Sequence, residues 1–168
     1  MAVAVRRNDG IGCLGVPVLR SASSSSSGPA LPFVDTALLI RTDFTDDAAW
    51  RDVCAAAQAP VDTGFGNIFS ATIECISDSR FEGLSVEGLL TLTSRGLEPG
   101  FVFLADAETM GRDEHPIVVV DLNRDYGRTF WVIPSEMWSV ENNLSIGNMD
   151  ISEFADAADP DGVFRGFH

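Results

Sequence analysis

Three short runs dominate the pattern of apolar and polar positions: Phe101-Val102-Phe103-Leu104-Ala105, Ile117-Val118-Val119-Val120-Asp121-Leu122 and Thr129-Phe130-Trp131-Val132-Ile133. Unbroken β-branched and aromatic runs of this length suit strands covered on both faces, as in the middle of a sheet with helices above and below. The turn Asn123-Arg124-Asp125-Tyr126-Gly127 between the last two is short enough for an antiparallel hairpin. Upstream, Ala37-Leu38-Leu39-Ile40-Arg41-Thr42 reads as a first strand. A second is expected from Ile68 to Ile76, with Ala71, Ile73 and Cys75 on one face.

Between these runs the period changes to that of a helix. Trp50, Val53, Cys54 and Ala57 fall at i, i+3, i+4 and i+7, a buried stripe that makes Cys54 a small core residue. Thr45 is the expected cap of that helix, with Asp46 and Asp47 in the first turn, where the positive end of the dipole favours them. Ser85 caps a shorter helix carrying Val86, Leu89 and Leu90, which Gly96 closes. Asp106 to Gly111 adds one helical turn. Pro134 and Ser135 open a helix with Met137, Val140, Glu141 and Leu144 along one face and a break at Gly147. Asp150 and Glu153 then form a D-x-x-E capping box, with Met149 and Phe154 at the positions of a hydrophobic staple. The apolar tail Val163-Phe164-Arg165-Gly166-Phe167 is expected to pack back onto the body.

The fold class is therefore α/β: a single mixed sheet with helices on both faces, in the order β-α-β-α-β-turn-β-β-α-α. Strands joined through helices should run parallel, and the hairpin adds an antiparallel pair. The succession resembles the thioredoxin arrangement, with Pro116 at the head of the penultimate strand but without a redox motif; the resemblance is one of topology.

Residues 1–32 carry Arg6, Arg7 and Arg20 against Asp9 and end in a serine run, the composition of a flexible linker. They read as a disordered leader ahead of one acidic domain over 33–168. The stretch from Ile11 to Leu19 is short and broken by two glycines and a proline. A signal peptide, a transit-like leader and an over-called start codon all stay open.

Charge narrows the partners. The chain carries −14, and the part beyond residue 32 sets 8 arginines against 24 carboxylates. Such a surface repels phosphate backbones and anionic lipid, so nucleic acid and membranes are disfavoured and a basic protein is favoured. The plainer explanation stands beside it. All 11 basic residues are Arg, the usage of a GC-rich genome, and acidity can serve solubility alone. Cys13, Cys54 and Cys75 show no paired spacing, so no disulfide framework or zinc site is suggested and a reducing cytosol is expected. No apolar run reaches the length of a membrane span.

Few residues offer chemistry. Asp43, Asp46, Asp47 and Asp106 would project from the carboxyl ends of parallel strands, where open α/β sheets bind ligands, and could hold Mg²⁺. Helix-start and turn duties account for the same residues. Asp121 interrupts an apolar strand and needs either solvent or a partner such as Arg128. His115, beside Asp113 and Glu114, is a general-base candidate or an exposed turn residue. There is no G-x-S-x-G, no Cys with an evident His partner and no phosphate-binding glycine loop. No catalytic residue, metal ligand or cofactor is assigned.

The densest polar stretch without an evident folding role is Trp138-Ser139-Val140-Glu141-Asn142-Asn143. Adjacent asparagines weaken a helix, and Trp beside Asn and Glu is a composition proteins use to bind one another. Trp138, Glu141, Asn142 and Asn143, with Arg165 in the closing segment, are the candidate binding residues. Against this, Trp138 could be core and the asparagines could simply end the helix. The segment from Trp131 to Asp150, with Asp161-Gly162-Val163-Phe164-Arg165-Gly166-Phe167, is similar to an uncharacterised bacterial family of unknown function, over about residues 33–168. That resemblance implies no activity and transfers no catalytic residues. The expected function is a non-enzymatic, cytosolic protein-binding module of inhibitor or immunity type. The alternative is a small Mg²⁺-dependent hydrolase.

Overall fold

The computed structural model describes residues 30–64, 66–93 and 100–167. The chain enters through β1 (Ala37–Arg41), whose five residues are all buried. Their side chains alternate between two cores: Ala37 and Leu39 face the larger one, Leu38 and Ile40 the smaller. Helix α1 (Asp47–Ala57) follows and lays Trp50, Val53 and Ala57 on the larger core. Its cap is Asp46, not Thr45: Asp46 Oδ1 accepts from the amides of Ala48 at 2.8 Å and Ala49 at 3.0 Å. A carboxylate accepts from these amides more strongly than a hydroxyl does, and Thr45 instead bonds to Asp43.

The strand expected from Ile68 to Ile76 is two. Strand β2 (Val61–Asp62) pairs antiparallel with β3 (Ile68–Phe69) as a separate ribbon, and only β4 (Ile73–Ile76) joins the main sheet. The cause lies between them. The Thr72 amide is taken by the Glu141 carboxylate and the Ser70 carbonyl by Asn142, so this backbone bonds to side chains and not to a ladder.

A 3₁₀ turn at Ser79–Phe81 buries Phe81 in the smaller core beside Leu89 of α2 (Val86–Leu92). The expected closing glycine Gly96 and the turn at 97–99 lie outside the described residues, as do the leader through residue 29, Cys13 and Phe65. Strand β5 (Phe101–Ala105), the short helix α3 (Ala107–Gly111) and β6 (Ile117–Asp121) come next. Strand β7 (Thr129–Val132) completes the hairpin. Gly127, at φ +90°, closes it; a Cβ there would stand 2.9 Å from Leu90. The chain ends through a 3₁₀ turn at Pro134–Glu136, α4 (Met137–Ser145), α5 (Ile151–Ala157) and β8 (Val163–Phe164).

The main sheet runs β4-β1-β5-β6-β7-β8. β1 is parallel to both β4 and β5, β6 is antiparallel to both its neighbours, and β8 is parallel to β7. The sheet is mixed, with helices packed on both faces. The tail does return, as β8, where Phe164 sits edge-on to Phe130 and Phe154. Leu39, Phe103 and Val119 are fully buried at its centre, each contributing about 1.5–3 kcal/mol by leaving water.

Candidate functional site

At the carboxyl ends of β1 and β5 the loop backbones are bonded to one another. Thr42 donates from its amide and its hydroxyl to the Ala105 carbonyl, and the Gly83 amide covers the Thr42 carbonyl at 2.8 Å. The four aspartates named for a metal are each engaged locally. Asp43 holds Thr45, Asp46 and Asp106 cap α1 and α3, and Asp47 pairs with Arg41 at 2.7 Å. Hydrogen bonds from the Ala49 and then the Ala48 amide hold the Asp46 carboxyl below the usual range. Among the described residues no three His, Cys, Asp or Glu side chains are grouped to hold a metal ion. His115 is half-buried, not an exposed turn residue, with Nδ1 2.7 Å from the Thr109 carbonyl.

The opposite end of the sheet is open. A groove of about 760 Å³ lies between the chain leading into β1 and the far end of α4, with Asp121 and Glu141 in its wall. Asp35 and Asp150 add two further carboxylates, and the one guanidinium among its described lining residues, that of Arg124, is already bonded to Asp150. Phe33, 91% exposed, and Ile146, 78% exposed, stand at its rim.

Asp121 is buried, but Arg128 is not its side-chain partner. Its two oxygens accept from the amides of Asn123 at 2.7 Å and Asp125 at 3.0 Å, which folds the turn after β6. The Arg128 guanidinium goes to Asp125 and Asp156. A buried carboxylate with two backbone donors is stable where a lone one would not be.

The structure brings four of the five candidate binding residues together on α4 and leaves Arg165 elsewhere. Glu141 is only 3% exposed, accepting from the Thr72 amide at 2.8 Å and the Ser145 hydroxyl at 2.6 Å, so it builds the wall and does not reach into solvent. Asn142 donates to Trp138 and Ser70 carbonyls, and Asn143 donates to the Ser139 carbonyl while accepting from Asn148. These bonds compensate the poor helix propensity of the pair. Trp138 is half-buried and stacks on Phe69 of β3, centroids 5.1 Å apart. Arg165 is clamped by Glu114, Asp159 and Asp161 at 2.7–2.9 Å. Its guanidinium holds the carboxyls of Glu114 and Asp161 well below the usual range, and they raise its own pKa in turn.

Sequence reasoning missed Phe33, Asp35 and Ile146. They lie at or beyond the ends of regular elements, where no periodicity marks them. The D-x-x-E signal was informative: Glu153 takes the Asp150 amide at 2.7 Å and starts α5 under the groove.

Fold and groove together define an acidic mixed α/β protein whose open polar surface lies at the amino-terminal ends of its parallel strands. The chain belongs to a family defined by a domain of unknown function, DUF6924, which matches residues 36–167. No curated protein matches it. Among the described residues no helix is long and apolar enough to cross a membrane.

Proposed function

We propose that this protein is a non-enzymatic module, working in a reducing cytosol, that binds a basic segment of another protein in the groove beside α4, as an inhibitor or immunity-type partner would. The carrying observation is the groove itself: carboxylates in its wall, the Arg124 guanidinium already neutralised by Asp150, and Phe33 and Ile146 exposed at its rim. An arginine- or lysine-bearing segment with an apolar residue matches both features. Long-range attraction would speed encounter, and the apolar rim would supply the desolvated contact. Phosphate backbones and anionic lipid are repelled by the same charge.

The test is capture on the immobilised full chain at low and high salt, together with anisotropy titration of a labelled arginine-rich peptide containing leucine. Affinity should fall steeply with ionic strength. The double variant Asp35→Asn/Ile146→Ser should weaken peptide binding about tenfold, corresponding to about 1.4 kcal/mol. Asp52→Asn, on the outer side of α1, makes the same charge change and should leave affinity within about twofold. Equal losses from both variants, or a partner indifferent to salt, would rule the groove out.

A further inference from the structure

The structure brings together two cysteines that nothing in their spacing pairs. Cys54 on α1 and Cys75 on β4 both pack against the margin of the larger core, close enough for each thiol to act on the ionisation of the other. A second contact fixes the same alignment. Gln58, one helical turn beyond Cys54, donates from Nε2 to the carbonyl of Ile73, two residues before Cys75, at 3.1 Å. One turn of helix advances about 5.4 Å and two strand residues about 6.7 Å, so the Gln58–Ile73 and Cys54–Cys75 pairs are successive rungs between one helix and one strand. Both thiols are free and half-buried, and β4 is the edge strand of the sheet, bonded on one side only, to β1.

A fixed positive charge lies within electrostatic reach of Cys54. Arg41, 3% exposed, lies at the end of β1 with its guanidinium 4.5 Å from the Phe44 ring centroid and 5.8 Å from that of Trp50. Nη1 reaches Asp47, while Nη2 is buried without a hydrogen-bond partner. The guanidinium charge acts on the Cys54 thiol, favouring the thiolate.

We propose that Cys54 and Cys75 form a thiol–disulfide exchange site that takes a low-molecular-weight disulfide as its oxidant, with Arg41 as the positioning cation. The interaction with Cys54 lowers the pKa of Cys75, and the same interaction together with burial raises that of Cys54, which separates the roles of attacking and resolving thiol. The Cys75 thiolate attacks one sulfur of the oxidant, forming a mixed disulfide and expelling one thiolate. Cys54, no longer facing a thiolate, gives its proton to solvent within reach of the Arg41 charge. It then attacks Cys75 Sγ, closing the Cys54–Cys75 bond and expelling the second thiolate. Two electrons pass from the protein dithiol to the small disulfide, which leaves as two thiols. The closed loop would contain β2, β3 and Thr72, the segment that meets Trp138, Asn142 and Glu141. The exchange itself does not depend on the docking role of the groove.

The probe is a series of glutathione buffers from fully reduced to fully oxidised, applied to the full chain carrying Cys13→Ser. Each sample is quenched with an alkylating reagent, then read by intact mass and by peptide mapping. The expected result is concerted loss of two alkylation sites and a linked Cys54–Cys75 peptide, reversed by reduced glutathione. Cys54→Ser should accumulate a glutathione adduct at Cys75 at least severalfold faster than Cys75→Ser does at Cys54. Arg41→Gln, with folding followed by circular dichroism, should slow closure of the bond severalfold. If the two thiols react independently, with adducts and no linked peptide in the oxidised buffer, the proposal fails whatever the groove binds.

Discussion

The two ends of the central sheet are lined with acids of the same kind put to different uses. Where β1 and β5 finish, Asp46 and Asp106 cap helices, Asp47 meets Arg41, and the Gly83 amide closes over Thr42. Where those strands begin, Asp121 and Glu141 are buried in the wall of an open groove, Asp121 holding two amides of the turn that follows it and Glu141 the amide of Thr72. At the first end the short turns Asp43-Phe44-Thr45 and Asp106 lead straight into helices, so Asp43, Asp46 and Asp106 are consumed within two or three residues of themselves. At the second end Glu141 reaches from α4 to Thr72 across the fold. Local capping fills a surface, whereas long-range bridging between elements can leave a space between them. In this protein the open groove lies at the end opposite the usual ligand crevice of an open α/β sheet.

The comparison can be broken most directly at Glu141. Glu141→Ala leaves the part-buried Thr72 amide and the Ser145 hydroxyl without their acceptor, and should lower unfolding stability in urea by about 3 kcal/mol. A loss under about 1 kcal/mol would mean that the groove wall does not depend on this bridge. A smaller contrast separates Asp121 from Asp43. Asp121→Ala removes an acceptor from two amides and should cost about 2 kcal/mol, while Asp43→Ala, in an exposed turn, should stay within about 0.5 kcal/mol in the same assay. The smallest effect lies at neither end, in the Arg165 clamp. Glu114 and Asp161 have folded-state pKa values depressed by Arg165. Their contribution is fully present above the unfolded values near pH 4 and is lost as pH falls through the lower folded values. Thermal melts from pH 6 to pH 2 should show this decline, and Arg165→Ala should flatten it.

Periodicity found the central strands because each is covered on both faces, and Leu38 and Leu39 do point into different cores. The face of α4 was readable for the same reason: Met137, Val140 and Glu141 are buried as a stripe. Placing Glu141 on that stripe conflicts with offering it to a partner, and the structure resolves the conflict through Thr72 and Ser145. Asp121 shows the limit from the other direction. Its burial could be weighed from the apolar run around it, but its partners are amides of the following turn, and composition does not distinguish those from a guanidinium across the hairpin.

What the sequence determined by itself was the central strands and the main helices, their buried faces, the acidic balance and the capping of α5. These depend on residues within one or two turns of each other, so their spacing along the chain is their geometry. The tertiary structure alone decided that residues 68–76 split, that Cys54 meets Cys75, that Arg165 gathers three carboxylates, and which end of the sheet stays open. Each of these joins segments far apart in the chain, and their meeting depends on strand order and helix placement, which the local pattern leaves undetermined.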